Sequence, residues 1–280
     1  MTEWSRLQES ADAVKKALQL DELSPKTALI LGSGLGAFGD TLEKTKGVGY
    51  KDIPHFSTSK VPGHAGKLIA GEKHGHSLIV MQGRIHYYEG HDITQVVLPT
   101  RVLCLLGIDT FIITNAAGSV RKDIGPGSIV AIRDHLNMLG ANPLRGENDD
   151  RLGTRFPDMS EAYDPELREL AKRTAEEKDW DLNEGVYACM PGPSYETPAE
   201  VKMVSIIGGD LVGMSTVPEV LAARHMGARI LGLSCVTNMA AGLSKTLLSH
   251  KEVAETAAKV RDRFLSLLDG ILCKLPHRLQ

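Results

Sequence analysis

Cysteine is scarce in this sequence. Cys104, Cys189, Cys235 and Cys273 lie far apart without C-x-x-C spacing, and three sit in apolar surroundings such as "VLCLLG" and "LSCVTN". That pattern points to reduced, buried thiols. An excess of either charge is also missing. Formal net charge is −3 with a pI near 6.4, and the two signs are interspersed, so no basic stripe suited to duplex DNA appears and nucleic acid is not an expected partner. No apolar run approaches the length of a membrane span. The opening "MTEWSRLQES" lacks a basic region followed by an apolar one, which predicts a soluble, cytoplasmic protein with no membrane partner. Repeats, linkers and low-complexity segments are absent too. What is present, 42% hydrophobic and 24% charged residues in 280, lies in the ordinary globular range.

Short apolar runs alternate with helical patterns along the chain. Trp4, Leu7, Ala11, Val14 and Leu18 recur at three- and four-residue intervals and predict an N-terminal helix, ended by Pro25. "TALILGSG", "SLIVMQGR", "TFIITNAAGS", "SIVAIRDH", "GVYACMPG", "LVGMSTVPE" and "RILGLSCVTN" read as strands, several unbroken as in strands buried on both faces. Helical patterns near 94–106, 165–179, 198–207, 218–227 and 250–272 separate them. "KLIAGEKHGHSLIVMQG" reads as a hairpin with Gly71 and Gly75 near its turn. The expectation is an α/β fold: one domain over residues 1–280, with a mixed, mostly parallel β-sheet flanked by helices on both faces.

In such sheets ligands bind beyond the carboxyl ends of the strands. In "LILGSGLGAFGD", Gly34, Gly36 and Gly39 match G-x-G-x-x-G, yet the first glycine after the strand is Gly32. The centre is therefore Gly32-Ser33-Gly34, where backbone and hydroxyl can both approach a small anion. A dinucleotide fingerprint would need an apolar strand ending in an acid about twenty residues on. "DTLEKTKGVGYKDIPHFSTSK" offers no such apolar strand. Other strand ends carry Arg84, His86 and Tyr88, then Asn115-Ala116-Ala117-Gly118, Met214-Ser215-Thr216 and Thr237-Asn238-Met239. A phosphate there would meet the hydroxyls of Ser33 and Ser215, the two-pronged donor Arg84, the imidazole of His86 and the N–H of Ala116. Thr216-Val217-Pro218-Glu219 spells a capping box with proline in the first turn, predicting a helix N-terminus just after Ser215. Singly these are a cap, a strand exit and a surface pair; jointly they favour a site. His64, in the glycine-rich "VPGHAGKL", is either a loop decoration or part of a segment that moves over it. His74 and His76 form H-x-H at a turn without further ligands at metal spacing, so no metal is expected. His225 reads as structural.

These motifs, with "PGHAGKL", "GRIHYYEGH", "TNAAGS", "RFPDMSEAYD", "GPSYETPAE", "VGMSTVPEVLAARH" and "TNMAAGL", make the chain resemble the trimeric purine nucleoside phosphorylases over nearly its whole length. The resemblance implies that Ser33, His64, Arg84, His86, Ala116 and Ser215 hold phosphate. It implies that Glu196 and Asn238 bind the purine, and that Tyr88, Met214 and His250 face the ribose, His250 through the 5′-hydroxyl. Phe156 would reach the ribose pocket of a neighbouring subunit in a homotrimer. His86, Glu196 and Asn238 would act in the reaction. The implied activity is phosphorolysis of inosine or guanosine and their deoxy forms in purine salvage, with inorganic phosphate as co-substrate and no cofactor.

Glu196 as acceptor from N1–H suits hypoxanthine and guanine, whose N1 carries a proton, and would face a lone pair in adenine. The nearest alternative is a methylthioadenosine phosphorylase-like enzyme of the same fold, which prefers 6-aminopurines; Glu196, Asn238 and His250 point away from it. A dinucleotide-binding module is the alternative from another class. Met239, where some relatives carry lysine, leaves the ranking of inosine, guanosine and xanthosine open.

Overall fold

The computed structural model describes residues 2–32, 34–61, 65–244 and 250–276, with the side chains of residues 250–252 outside the description. Helix α1 (Glu3–Leu18) starts where Thr2 Oγ1 accepts from the Ser5 N–H, and buries Leu7, Ala11, Val14 and Leu18 on one stripe. One turn, α2 (Leu20–Leu23), leads to β1 (Thr27–Leu31), β2 (Glu43–Gly49), β3 (Lys67–Lys73), β4 (His76–Gln82), α3 (Ile93–Leu105), β5 (Thr110–Ser119) and β6 (Ile129–Asn137). Then follow α4 (Pro165–Glu176), β7 (Asn183–Cys189), α5 (Pro198–Ile206), β8 (Leu211–Gly213), α6 (Val217–His225), β9 (Arg229–Met239) and α7 (His250–Lys274).

Strand β1 lies between β4 and β5, parallel to both, and all five of its residues are buried. Its side chains alternate between two cores. Ala28 and Ile30 join α1, α3 and α6 through Leu7, Leu98 and Val220; Leu29 and Leu31 join α4 and α7 through Ala171 and Phe264. Helices thus cover both faces, as expected. Each fully buried aliphatic side chain here contributes about 1.5–3 kcal/mol, which is why an unbroken apolar run is needed on a strand covered twice.

The sheet order is β2-β3-β4-β1-β5-β8-β7-β6-β9, and β9 also pairs with β5. The far half therefore closes on itself, a ring the apolar pattern alone did not reveal. Parallel pairings predominate narrowly: β1 with β4 and β5, β5 with β9, β7 with β6 and β8 are parallel, and four others antiparallel. Strand β2 falls in the stretch without an apolar strand. It is a mostly exposed antiparallel edge, so it carries charge instead of hydrophobic residues. At the predicted hairpin only His74 and Gly75 make the turn, both at positive φ. Gly71 lies within β3, where a Cβ would come 2.8 Å from the Glu43 carbonyl oxygen on β2. The thiols are all free, but Cys273 is exposed, because the last turns of α7 turn that side outward.

Candidate active site

A cavity of about 380 Å³ opens where the sheet closes, lined by Gly32, Arg84, His86, Tyr88, Asn115–Gly118, Glu196, Met214, Ser215, Thr237 and Asn238, with Val61, Pro193, Tyr195, Val212, Gly213 and Val253. Of the residues singled out in the sequence, Arg84, His86, Tyr88, Ala116, Glu196, Met214, Ser215 and Asn238 meet in this one space. Ser33 and His64 lie outside the described residues. His250 is the first residue of α7, with its side chain outside the description. Phe156 is not in the cavity; it stands 86% exposed on a surface loop.

Two stretches read as strand exits belong to the strands themselves. Asn115–Gly118 lies on β5, which loses β1 after Ile113 and gains β8 at Gly118, and Thr237–Met239 ends β9. The β5–β9 register slips between Ala117 and Gly118, opposite Val236 and Asn238. A Cβ on Gly118 would come 3.1 Å from Asn238 Nδ2, so glycine makes room for that amide. Asn238 is then held by two neighbours: Thr237 Oγ1 donates to its Oδ1 at 2.9 Å and its Nδ2 donates to the Met239 carbonyl at 3.0 Å.

The 4%-exposed Arg84 shares its guanidinium with protein acceptors. Nη1 donates to Glu219 at 3.1 and 3.3 Å, and Nη2 to the carbonyls of Thr114 and Ile30. An anion would share this cation with Glu219 instead of receiving an undivided two-pronged grip. His86 accompanies it, its ring stacked on Tyr88 at 4.8 Å and its Nδ1 3.2 Å from Glu89 Oε1, which also accepts from the His86 N–H at 2.8 Å. Burial and the Arg84 charge push the imidazole down to about 4, against the opposing pull of Glu89. His86 is therefore neutral at pH 7, with Nδ1–H assigned by the carboxylate beside it.

The capping box expected at Thr216–Glu219 does not form. Helix α6 does start at Val217, but Thr216 caps it with no side-chain hydrogen bond, because its Oγ1 accepts from Asn115 Nδ2 at 2.9 Å. The box forms instead at Thr197-Pro198-Ala199-Glu200, where α5 begins. Because Thr197 and Glu200 do the capping, Glu196 faces the cavity, 7% exposed, and burial followed by the Glu200 charge raises its carboxyl above the ordinary range. Ser215 precedes a tight turn: Thr216 has φ 75° and ψ −54°, and the Val217 N–H reaches back to the Ser215 carbonyl at 2.8 Å, the geometry of a strained γ-turn. Two buried groups hold Ser215 there. Its N–H donates to Tyr187 Oη at 3.4 Å and its carbonyl accepts from Cys189 Sγ at 3.2 Å. Sequence reasoning missed Tyr187 and Cys189 as supports of Ser215 and read Glu219 only as part of a capping box; the one available signal was that each polar group falls within an apolar run.

His225 is structural, its Nε2 3.0 Å from the Thr154 carbonyl. Gly32 serves packing: a Cβ would lie 2.9 Å from the Thr114 carbonyl on β5. Gly36 opens a 3₁₀ helix over Gly36–Thr41 and not the α-helix of a dinucleotide loop.

The family model described as the phosphorylase superfamily matches residues 26–272. The chain is 51% identical over 249 residues to purine nucleoside phosphorylase 1 of Geobacillus stearothermophilus, covering 89% of this chain and 91% of that one. It is 47% identical to purine nucleoside phosphorylase 1 of Bacillus subtilis, over 96% and 98% of the two chains. A crystal structure of the Schistosoma mansoni purine nucleoside phosphorylase in complex with inosine superposes with a TM-score of 0.91 at 37% identity, covering 98% of each chain.

Proposed function

The chain belongs to the phosphorylase superfamily and within it to the purine nucleoside phosphorylases, and on that premise we propose that its cavity binds phosphate and a 6-oxopurine nucleoside together. The reaction moves a pentosyl group from the purine to phosphate. Its transition state carries positive charge on the sugar and negative charge on the leaving base. A phosphate held below C1′ by Arg84, His86, the Ala116 N–H and Ser215, with Ser33 and His64, attacks at high effective concentration, and its charge supports the cationic sugar. Asn238 donates to N7 or O6 as the base gains charge, and Glu196 accepts from N1–H. Tyr88, Met214 and His250 contact the ribose. The observation that carries this reading is the convergence of Arg84, His86, Ala116, Ser215, Glu196 and Asn238 on one cavity.

The exposed Phe156 supports a homotrimer in which this ring completes a neighbour's ribose pocket. Among the described residues no helix is long and apolar enough to cross a membrane; the salvage role proposed here is a cytoplasmic one. No metal or organic cofactor enters the scheme. Inosine should turn over rapidly with phosphate and not without it, whereas adenosine and methylthioadenosine should be poor substrates. Asn238→Ala should slow inosine phosphorolysis by about 10²–10³-fold, the worth of one preorganised donor. Unchanged turnover in that variant would remove Asn238 from the leaving-group role.

A further inference from the structure

Thr216 and Glu219 have the identities and spacing of a capping box, and both turn away from it. Glu219 is 3% exposed and spends its carboxylate on Arg84, and Thr216 Oγ1 receives Asn115 and, at 3.5 Å, the same arginine. Helix α6 thereby forgoes its side-chain cap and keeps a carboxylate out of water. Desolvating both members of an ion pair is a poor route to stability. Glu219 still lies in the first turn of α6, at the positive end of the helix dipole, so what is given up is the cap and the contact with water.

We propose that Glu219 is a positioning residue for the phosphate site: it holds the Arg84 guanidinium against the cavity and offsets its charge, so that phosphate binds weakly enough to react and the sugar phosphate is released. This rests on the reading of Arg84 as a phosphate ligand. With Glu219 ionised, the buried pair is close to neutral. With glutamine there, the shape persists but the cation is left uncompensated, and an incoming dianion restores the balance.

Three measurements test this on Glu219→Gln. Calorimetry with inorganic phosphate should give a Kd about tenfold lower than wild type. Steady-state kinetics should show the phosphate KM falling together with kcat, since ground-state binding strengthens more than transition-state binding. Thermal melting should be lower than wild type in phosphate-free buffer, with the deficit narrowing in saturating phosphate, because ligand stabilisation of the folded state grows with the logarithm of the affinity and is larger for the tighter-binding variant. Glu219→Asp keeps the charge and should leave the phosphate Kd within about threefold of wild type. A Gln variant that binds phosphate no more tightly, or whose melting deficit is the same with and without phosphate, overturns the proposal. If the Gln variant does not fold, Glu219→Asp decides by the same threefold criterion. Wild type that bound no phosphate would overturn the proposed function itself, a distinct failure.

Discussion

At the scale of single residues, the environment of Glu196 sets a pH dependence that its position in "SYETPAE" does not display. Its carboxyl is raised above the ordinary range by burial and then by Glu200. Acceptance from N1–H requires the ionised form. As pH falls, hypoxanthine affinity should therefore decline through a midpoint above the roughly 4.3 of an ordinary glutamate. Titration calorimetry across that range should give a flat profile for Glu196→Gln, and a wild-type midpoint at or below 4.3 would contradict the assignment. Arg84, His86, Ala116 and Ser215 were legible from the residues alone because they follow or interrupt apolar strands, whereas Glu196, between β7 and α5, came only from the family resemblance. Orientations were not legible. Nothing in "TVPE" against "TPAE" says which forms the cap: that depends on Asn115 and Arg84, distant in sequence, competing for Thr216 and Glu219.

The helices other than the single turn α2, and the strands with apolar runs, were legible as elements, because a stripe at helical spacing or an unbroken run must be buried wherever it lies. The polar edge β2 was not, since its ladder depends on its neighbour β3. Strand β8, at the start of the predicted run "LVGMSTVPE", is only three residues long and lies between β5 and β7. Its last residue, Gly213, must lack a side chain: a Cβ would come 2.2 Å from the Tyr187 hydroxyl that receives the Ser215 N–H. Gly213→Ala should cost about 1–3 kcal/mol in urea unfolding and weaken phosphate binding by displacing that hydroxyl. Tyr187→Phe should cost about 1 kcal/mol. The double variant should be less destabilised than the sum of the two, because the worst clash is gone. Strict additivity would show that strand and turn are not coupled through this contact.

For the molecule as a whole, α4 and β9 are clasped by charge. Asp164 caps α4 by accepting from the Leu167 N–H and pairs with Arg229, the first residue of β9, which also reaches Glu166 at 2.7 Å. Although burial opposes it, these hydrogen bonds hold the Asp164 carboxyl below its ordinary range. With a folded-state value below the unfolded one, its contribution is complete above the unfolded value of about 3.9 and lost as pH falls through the folded value. Asp164→Asn keeps the cap and removes the charge. It should lower stability by about 1 kcal/mol at pH 7, solvent reaching part of the pair, and by progressively less below pH 4. A deficit that persisted at low pH would assign the loss to the cap and not to the clasp.

The ring of strands also orders events during synthesis. Strand β9 closes it from both sides, pairing with β5 and β6, and carries Thr237 and Asn238. A nascent chain lacking residues 229–239 has Arg84 and Ser215 but no wall to set against them. Its β5 and β6 edges stay open until the last sixth of the polypeptide leaves the ribosome, and unpaired edges of that kind favour aggregation. For this fold, the most vulnerable interval in the life of the chain falls just before the active site first exists.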